Sequence, residues 1–159
     1  MNAKDKNKAT KGVPLQILLV EDNEDDILIA KKAFKEIKLK NNLYIVRDGQ
    51  EALDFIYHKG EYADKQKYPR PDLILLDINM PKVDGFQVLE QLKQDLEYMM
   101  IPVIMLTSSN NEADIARSYK AHAASYIQKP IGYEKFIKLI TIFTNYWSAV
   151  NSPPQDNSQ

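Results

Sequence analysis

Five short apolar runs, at residues 15–20, 43–46, 73–76, 103–106 and 125–127, alternate with five stretches of helical period, and nothing else in the chain constrains its fold as tightly. A run of four to six apolar residues with no polar alternation predicts a strand buried on both faces. Strands of that kind belong to parallel sheets whose crossovers are helices. The stretches at 24–38, 50–58, 85–94, 112–121 and 133–150 supply the helices. Strict alternation of this sort predicts an open doubly wound α/β fold with right-handed crossovers, and in such sheets ligands sit outside the carboxyl ends of the strands.

Length and composition bound the rest. A chain of 159 residues fits one domain with tails. Residues 1–13 carry Lys4, Lys6, Lys8 and Lys11 without large apolar residues behind them and read as a flexible basic arm, 151–159 reads as a polar tail, and 14–150 reads as the domain. The net charge of -1 gives no electrostatic footprint for nucleic acid. Cysteine is absent, which excludes disulfides, thiolate metal sites and cysteine nucleophiles. No segment has the form of a signal peptide or a membrane span, so a cytoplasmic protein without membrane contact is expected.

Polar residues gather where the fold predicts a crevice. The first strand runs into Glu21 and Asp22, the third into Asp77, the fourth into Thr107, Ser108 and Ser109, and the fifth into Lys129 and Pro130. Carboxylates crowded at one sheet edge repel each other, and a hard divalent cation with oxygen ligands relieves that repulsion. Mg²⁺ suits the set: Asp22 and Asp77 as direct ligands, the backbone carbonyl of Asn79 beside them, and Glu21 holding a water. With the cation, Thr107 and Lys129 can each take one oxygen of a phosphoryl group in transfer. Asp77, already ionised at neutral pH, would be the nucleophile and would become an acyl phosphate without any general base. His58 and His122 fall in helical segments away from these ends and are assigned no role.

Each member also has a plainer role. Asn23 or Asp22 can cap the first helix, residues 107–109 can cap the fourth, and Lys-Pro is ordinary turn chemistry. It is their joint placement on successive strand ends that points to a site. Other chemistries fit less well. A haloacid-type phosphohydrolase needs a second Asp where Asn79 stands. A flavodoxin needs a glycine- and hydroxyl-rich loop after the first strand, where this chain is acidic. An EF-hand starting at Asp22 fails at Ile27 and Ala33.

The segments LLVEDN (18–23), LILLDINMPKVDGF (73–86), VIMLTSS (103–109) and YIQKP (126–130) resemble bacterial response-regulator receiver domains over nearly the whole predicted domain. The resemblance implies a flavodoxin-like five-stranded parallel sheet of order 2-1-3-4-5. It further implies Mg²⁺ at Glu21 and Asp22, 4-aspartylphosphate at Asp77, and phosphoryl contacts from Thr107 and Lys129. A cis bond before Pro130, a switch in which Thr107 and Tyr126 move together, and tuning of phosphoryl lifetime by Asn79 and Ser109 belong to the same expectation. Such a domain is a signalling receiver and not an enzyme in the usual sense, with Mg²⁺-dependent self-phosphorylation and autodephosphorylation. The stretch VRDGQEALDFIYHKGEY, the long polar segment leading to RPDLILLD, and the ending NYW are similar to stand-alone regulators that partner phytochrome histidine kinases. One departure is the segment 95–100, DLEYMM, where the family often has Asp-Pro.

With nine residues after Val150, output through contact with another protein is expected. In the last helix Phe136, Leu139, Ile140, Phe143, Trp147 and Val150, extended by Tyr146, form an apolar arc that predicts core. Ile137 and Ile142 flank that arc and are expected to be exposed. The resemblance implies a homodimer through the last two helices and last strand.

Overall fold

The computed structural model describes residues 14–37, 40–80, 82–108, 111–129 and 132–150, the side chains of 146–150 excepted. The arm and tail expected at 1–13 and 151–159, Ser109, the Lys129–Pro130 bond and the side chains of Tyr146, Trp147 and Val150 lie outside the described residues.

In chain order the elements are β1 (Leu15–Val20), α1 (Glu24–Glu36), β2 (Asn41–Val46), α2 (Gly49–Ile56), a 3-10 turn (Gly60–Tyr62), β3 (Leu73–Asp77), α3 (Gly85–Gln94), β4 (Val103–Thr107), α4 (Glu112–Lys120), β5 (Ser125–Gln128) and α5 (Tyr133–Val150). The strands form one parallel sheet of order β2-β1-β3-β4-β5, as expected. Strands β3 and β4 are buried along their whole length, whereas β5, at the sheet edge, is only half-buried.

Because side chains alternate across a strand, the continuous apolar runs feed two cores at once. Leu18, Val20, Ile74, Leu76, Val103 and Met105 face α2 and α3. Leu15, Ile17, Leu19, Leu73, Leu75, Ile104 and Leu106 face α1 and α5. Phe34 of α1 and Phe136 of α5 meet edge to face with centroids 5.5 Å apart, joining those two helices over the sheet. On α5, Phe136 and Ile140 are buried and Leu139 and Phe143 pack against them, so the expected arc is core over its described part. One expectation is corrected: Ile137 also packs against this core and leaves only Ile142 exposed, because α1 lies close enough to cover that flank of α5.

Two further findings depart from the sequence reading. The polar-looking crossover between α2 and β3 is anchored by aromatic residues. Tyr62 and Tyr68 pack against Phe55 with centroids 5.2 and 5.7 Å away, and the Tyr62 hydroxyl donates to Glu51 at 2.5 Å. His58 and His122 are not helical. Both adopt left-handed backbone (φ 57° and 66°) just past α2 and α4, and close them as Schellman turns: Lys59 N–H donates to the Asp54 carbonyl at 2.8 Å and Ala123 N–H to the Ser118 carbonyl at 3.0 Å. His58 Nε2 donates to the Tyr68 carbonyl at 2.8 Å, which ties the crossover down. In the unusual 95–100 segment, Lys93 Nζ donates to the carbonyls of Met99 (2.9 Å) and Ile101 (2.7 Å) and braces the entry to β4.

Candidate functional site

The sheet register decides which polar groups meet. Val20 pairs with Leu76, which sets Glu21 level with Asp77; Asp77 pairs with Leu106 and Thr107 with Gln128, which brings Thr107 and Lys129 to the same edge. The backbone ladder continues past the strand ends through Ile78 N–H to Leu106 at 3.1 Å and Lys129 N–H to Thr107 at 2.6 Å, so these groups sit on stiff backbone. Glu21, Asp77 and Thr107 are buried and Asp22 and Asn79 exposed.

Local sequence explains why the edge stays open. Asn23 caps α1 by accepting from Asp26 N–H at 3.0 Å, and Asn111 caps α4 by accepting from Ala113 N–H at 2.8 Å. Asp22 and Thr107 are thereby spared the capping roles that were open to them. Where the chain returns after Asp77 as α3, Gly85 N–H donates to the Ile78 carbonyl at 3.0 Å. A Cβ on Gly85 would stand 2.4 Å from the Asp77 carbonyl oxygen, so only glycine permits this close approach.

The Lys129 ammonium is the hub. Its Nζ lies 2.5 Å from Glu21, 3.0 Å from Asp26 and 3.3 Å from Asp77. Three carboxylates share one ammonium, and negative charge is in excess. The most enclosed of the three acids responds: burial, with the like charge of Asp77 adding to it, pushes Glu21 up to about 7 against opposing hydrogen bonds from Lys129 and from Asn23 N–H. Burial pulls Lys129 down, but Glu21, Asp26 and Asp77 together outweigh it and hold the ammonium protonated above a lysine's ordinary value. Asn79 N–H donates to Asp77 Oδ1 at 3.2 Å and orients the carboxylate.

Oxygen atoms of Glu21, Asp22 and Asp77 lie within 4.8 Å of one another. An all-oxygen set with surplus negative charge fits a hard divalent cation, and the exposure of Asp22 leaves room for the waters that Mg²⁺ retains. Tyr126 is half-buried on β5, packed against the α2–α3 core three residues before Lys129.

The sequence reading missed Asp26. It stands in the first turn of α1, where the fall of the helix brings it back over the strand end, and the acidic run 22–26 hid it among solvent-facing neighbours.

Comparison with known proteins agrees with this arrangement. The family model described as response regulator receiver domain matches residues 17–141. The chain is 39% identical over 134 residues to the response regulator Rcp1 of Synechocystis sp., covering 84% of this chain and 89% of that protein. It is 36% identical over 142 residues to the probable methanogenesis regulatory protein FilR2 of Methanothrix harundinacea, covering 89% and 88%. Among solved structures it is similar to the phosphorylated cyanobacterial phytochrome response regulator RcpA (TM-score 0.78, 37% identity, 89% of this chain and 99% of that one). It is similar also to the Mn²⁺-bound form of Rcp1 (TM-score 0.75, 37% identity, 87% and 98%). By sheet order, strand-end chemistry and similarity along most of its length, this chain belongs to the response-regulator receiver domain family of signalling proteins.

Proposed function

We propose that Asp77 accepts a phosphoryl group from a histidine kinase in a Mg²⁺-dependent reaction and that this protein is the receiver of a two-component phosphorelay. The observation that carries the reading is the meeting of Lys129 Nζ with Asp77 at 3.3 Å at an edge also lined by Glu21, Asp22 and Thr107. Glu21, Asp22, Asp77 and the Asn79 backbone carbonyl would hold the cation. Bound there, it supplies neutralising charge for the attacking carboxylate and the incoming phosphoryl oxygens.

The chain's own groups do the rest. The Asp77 carboxylate, oriented by Asn79 N–H, is the nucleophile: one of its oxygens bonds to phosphorus as the bond from phosphorus to the donor breaks, and the electron pair leaves with the donor. Lys129 donates to one phosphoryl oxygen and the Thr107 hydroxyl to another. The added charge draws Thr107 inward, Tyr126 on the neighbouring strand follows, and the exposed face changes shape. A phytochrome-type kinase is the partner that the similarity to Rcp1 and RcpA favours.

Intact-protein mass spectrometry after incubation with Mg²⁺ and acetyl phosphate tests the acceptor. Wild type should gain about 80 Da, one phosphoryl group held as an acyl phosphate, and Asp77→Asn should gain nothing. If neither gains mass, even from a histidine kinase, the fold serves as an unphosphorylated interaction module instead.

The same reading includes self-association through α4, β5 and α5, supported by exposed apolar residues on two of these elements, Tyr119 of α4 (52%) and Ile142 of α5 (68%). Sedimentation of the phosphorylated protein should give a dimer that Ile142→Asp returns to monomer; an unchanged dimer in the variant moves the interface elsewhere.

A further inference from the structure

We infer that Asp26 is a positioning residue for Lys129, the ammonium assigned above to the phosphoryl group; the inference rests on that assignment. Lys129 Nζ donates to Glu21 at 2.5 Å and to Asp77 at 3.3 Å, and it forms an ion pair with Asp26 at 3.0 Å. Two of these partners, Glu21 and Asp77, belong with Asp22 to the carboxylate trio suited to a cation, and Asp26 does not. When a cation draws on Glu21 and Asp77, Asp26 is the carboxylate among the three that still holds the ammonium.

Among the described residues, the lining of that flank offers Lys129 no further charged side chain. Besides the three charged residues Glu21, Asp26 and Lys129, the cleft beside the ammonium is lined by the apolar residues Leu19, Ile29, Ala30, Leu106 and Phe136. Asp26 is itself held firmly. It sits in the first turn of α1, its N–H donating to the capping Asn23 side chain at 3.0 Å, and its short side chain has little rotamer freedom to lose. The ion pair with Asp26 anchors the ammonium from the α1 side while its N–H groups donate to Glu21 and Asp77. Asp26 exchanges no proton and forms no bond to phosphorus. Its effect is on where the Lys129 charge stands, and displacements of about 1 Å in such groups cost up to about 100-fold in rate.

A salt bridge that merely stabilised the fold would give the same distances, so the test must separate the two. The rate of mass gain with acetyl phosphate and Mg²⁺ is measured against donor concentration for wild type, Asp26→Ala, Asp26→Asn, Lys129→Ala and the double Asp26→Ala/Lys129→Ala variant, with urea unfolding confirming that each is folded. The inference expects Asp26→Ala to lower the saturating rate about tenfold at unchanged half-saturating donor concentration. Asp26→Asn, which retains an acceptor of the same shape, should regain most of it. The double variant should be no slower than Lys129→Ala alone, since Asp26 acts only through that ammonium. A wild-type rate in Asp26→Ala, or losses that multiply in the double variant, overturns the role of Asp26 while leaving Asp77 in place. Absence of Asp77-dependent labelling in wild type removes the assignment of Lys129 and the inference with it.

Discussion

At the scale of single residues, Glu21 has the clearest pH signature. Its folded-state value of about 7 lies above the ordinary 4.5, with burial as the main cause, so between these values the metal-free fold holds a proton that the unfolded chain has lost. The stability this proton contributes is full below about 4.5 and is lost as pH rises through about 7. On the proposed reading, a cation bound at this site would replace the proton as the counter-charge. In EDTA the melting temperature should therefore fall between about pH 5 and about pH 8, and excess Mg²⁺ should raise it more at the higher pH. Equal Mg²⁺ shifts at both ends would show that Glu21 does not compete with the cation. Most of this site was legible before any coordinates, because strand ends are marked by where apolar runs stop, and Glu21, Asp77, Thr107 and Lys129 each follow such a run. Asp26 was not, since helical phase and not strand position brings it to the ammonium, and a run of five polar residues gives no hint of which one turns inward.

The elements differ in how firmly they are held. Helix α4 buries only Ser118 among its residues, and its ties to α3 are an exposed ion pair between Arg117 and Glu90 at 3.2 Å and the Arg117 guanidinium stacked over Phe86. Its end is closed by His122 at φ 66°, a backbone region where an L side chain costs about 1–2 kcal/mol and glycine costs none. His122→Gly should accordingly stabilise the protein by up to about 1 kcal/mol, less what the unfolded chain gains in freedom, seen as a higher urea midpoint. His58→Gly should gain less, because it forfeits the bond to the Tyr68 carbonyl. Identical gains at the two sites would deny that bond any value. All ten strands and helices fell within a few residues of where periodicity placed them, since buried strands and amphipathic helices are written in hydrophobic spacing. The left-handed closures and the aromatic anchoring of the crossover were invisible to it: histidine is no helix terminator by composition, and Tyr62 and Tyr68 look like loop residues until Phe55 is beneath them.

For the molecule as a whole, one sheet joins two cores. Leu75 and Leu76 are neighbours in sequence, both fully buried, and face opposite layers. Leu75→Ala and Leu76→Ala should each cost about 2–5 kcal/mol, and each variant should still unfold in a single transition by circular dichroism and fluorescence alike. Two separated transitions in either variant would mean that the layers unfold independently. The sheet order also has a consequence for the chain during synthesis. Glu21 and Lys129 are 108 residues apart, so Glu21, Asp26 and Asp77 emerge long before the ammonium they share, which arrives just past the last strand, after the three interior strands β1, β3 and β4 are made. A nascent or truncated chain ending before Lys129 carries these carboxylates without the ammonium that pairs with them in the folded protein.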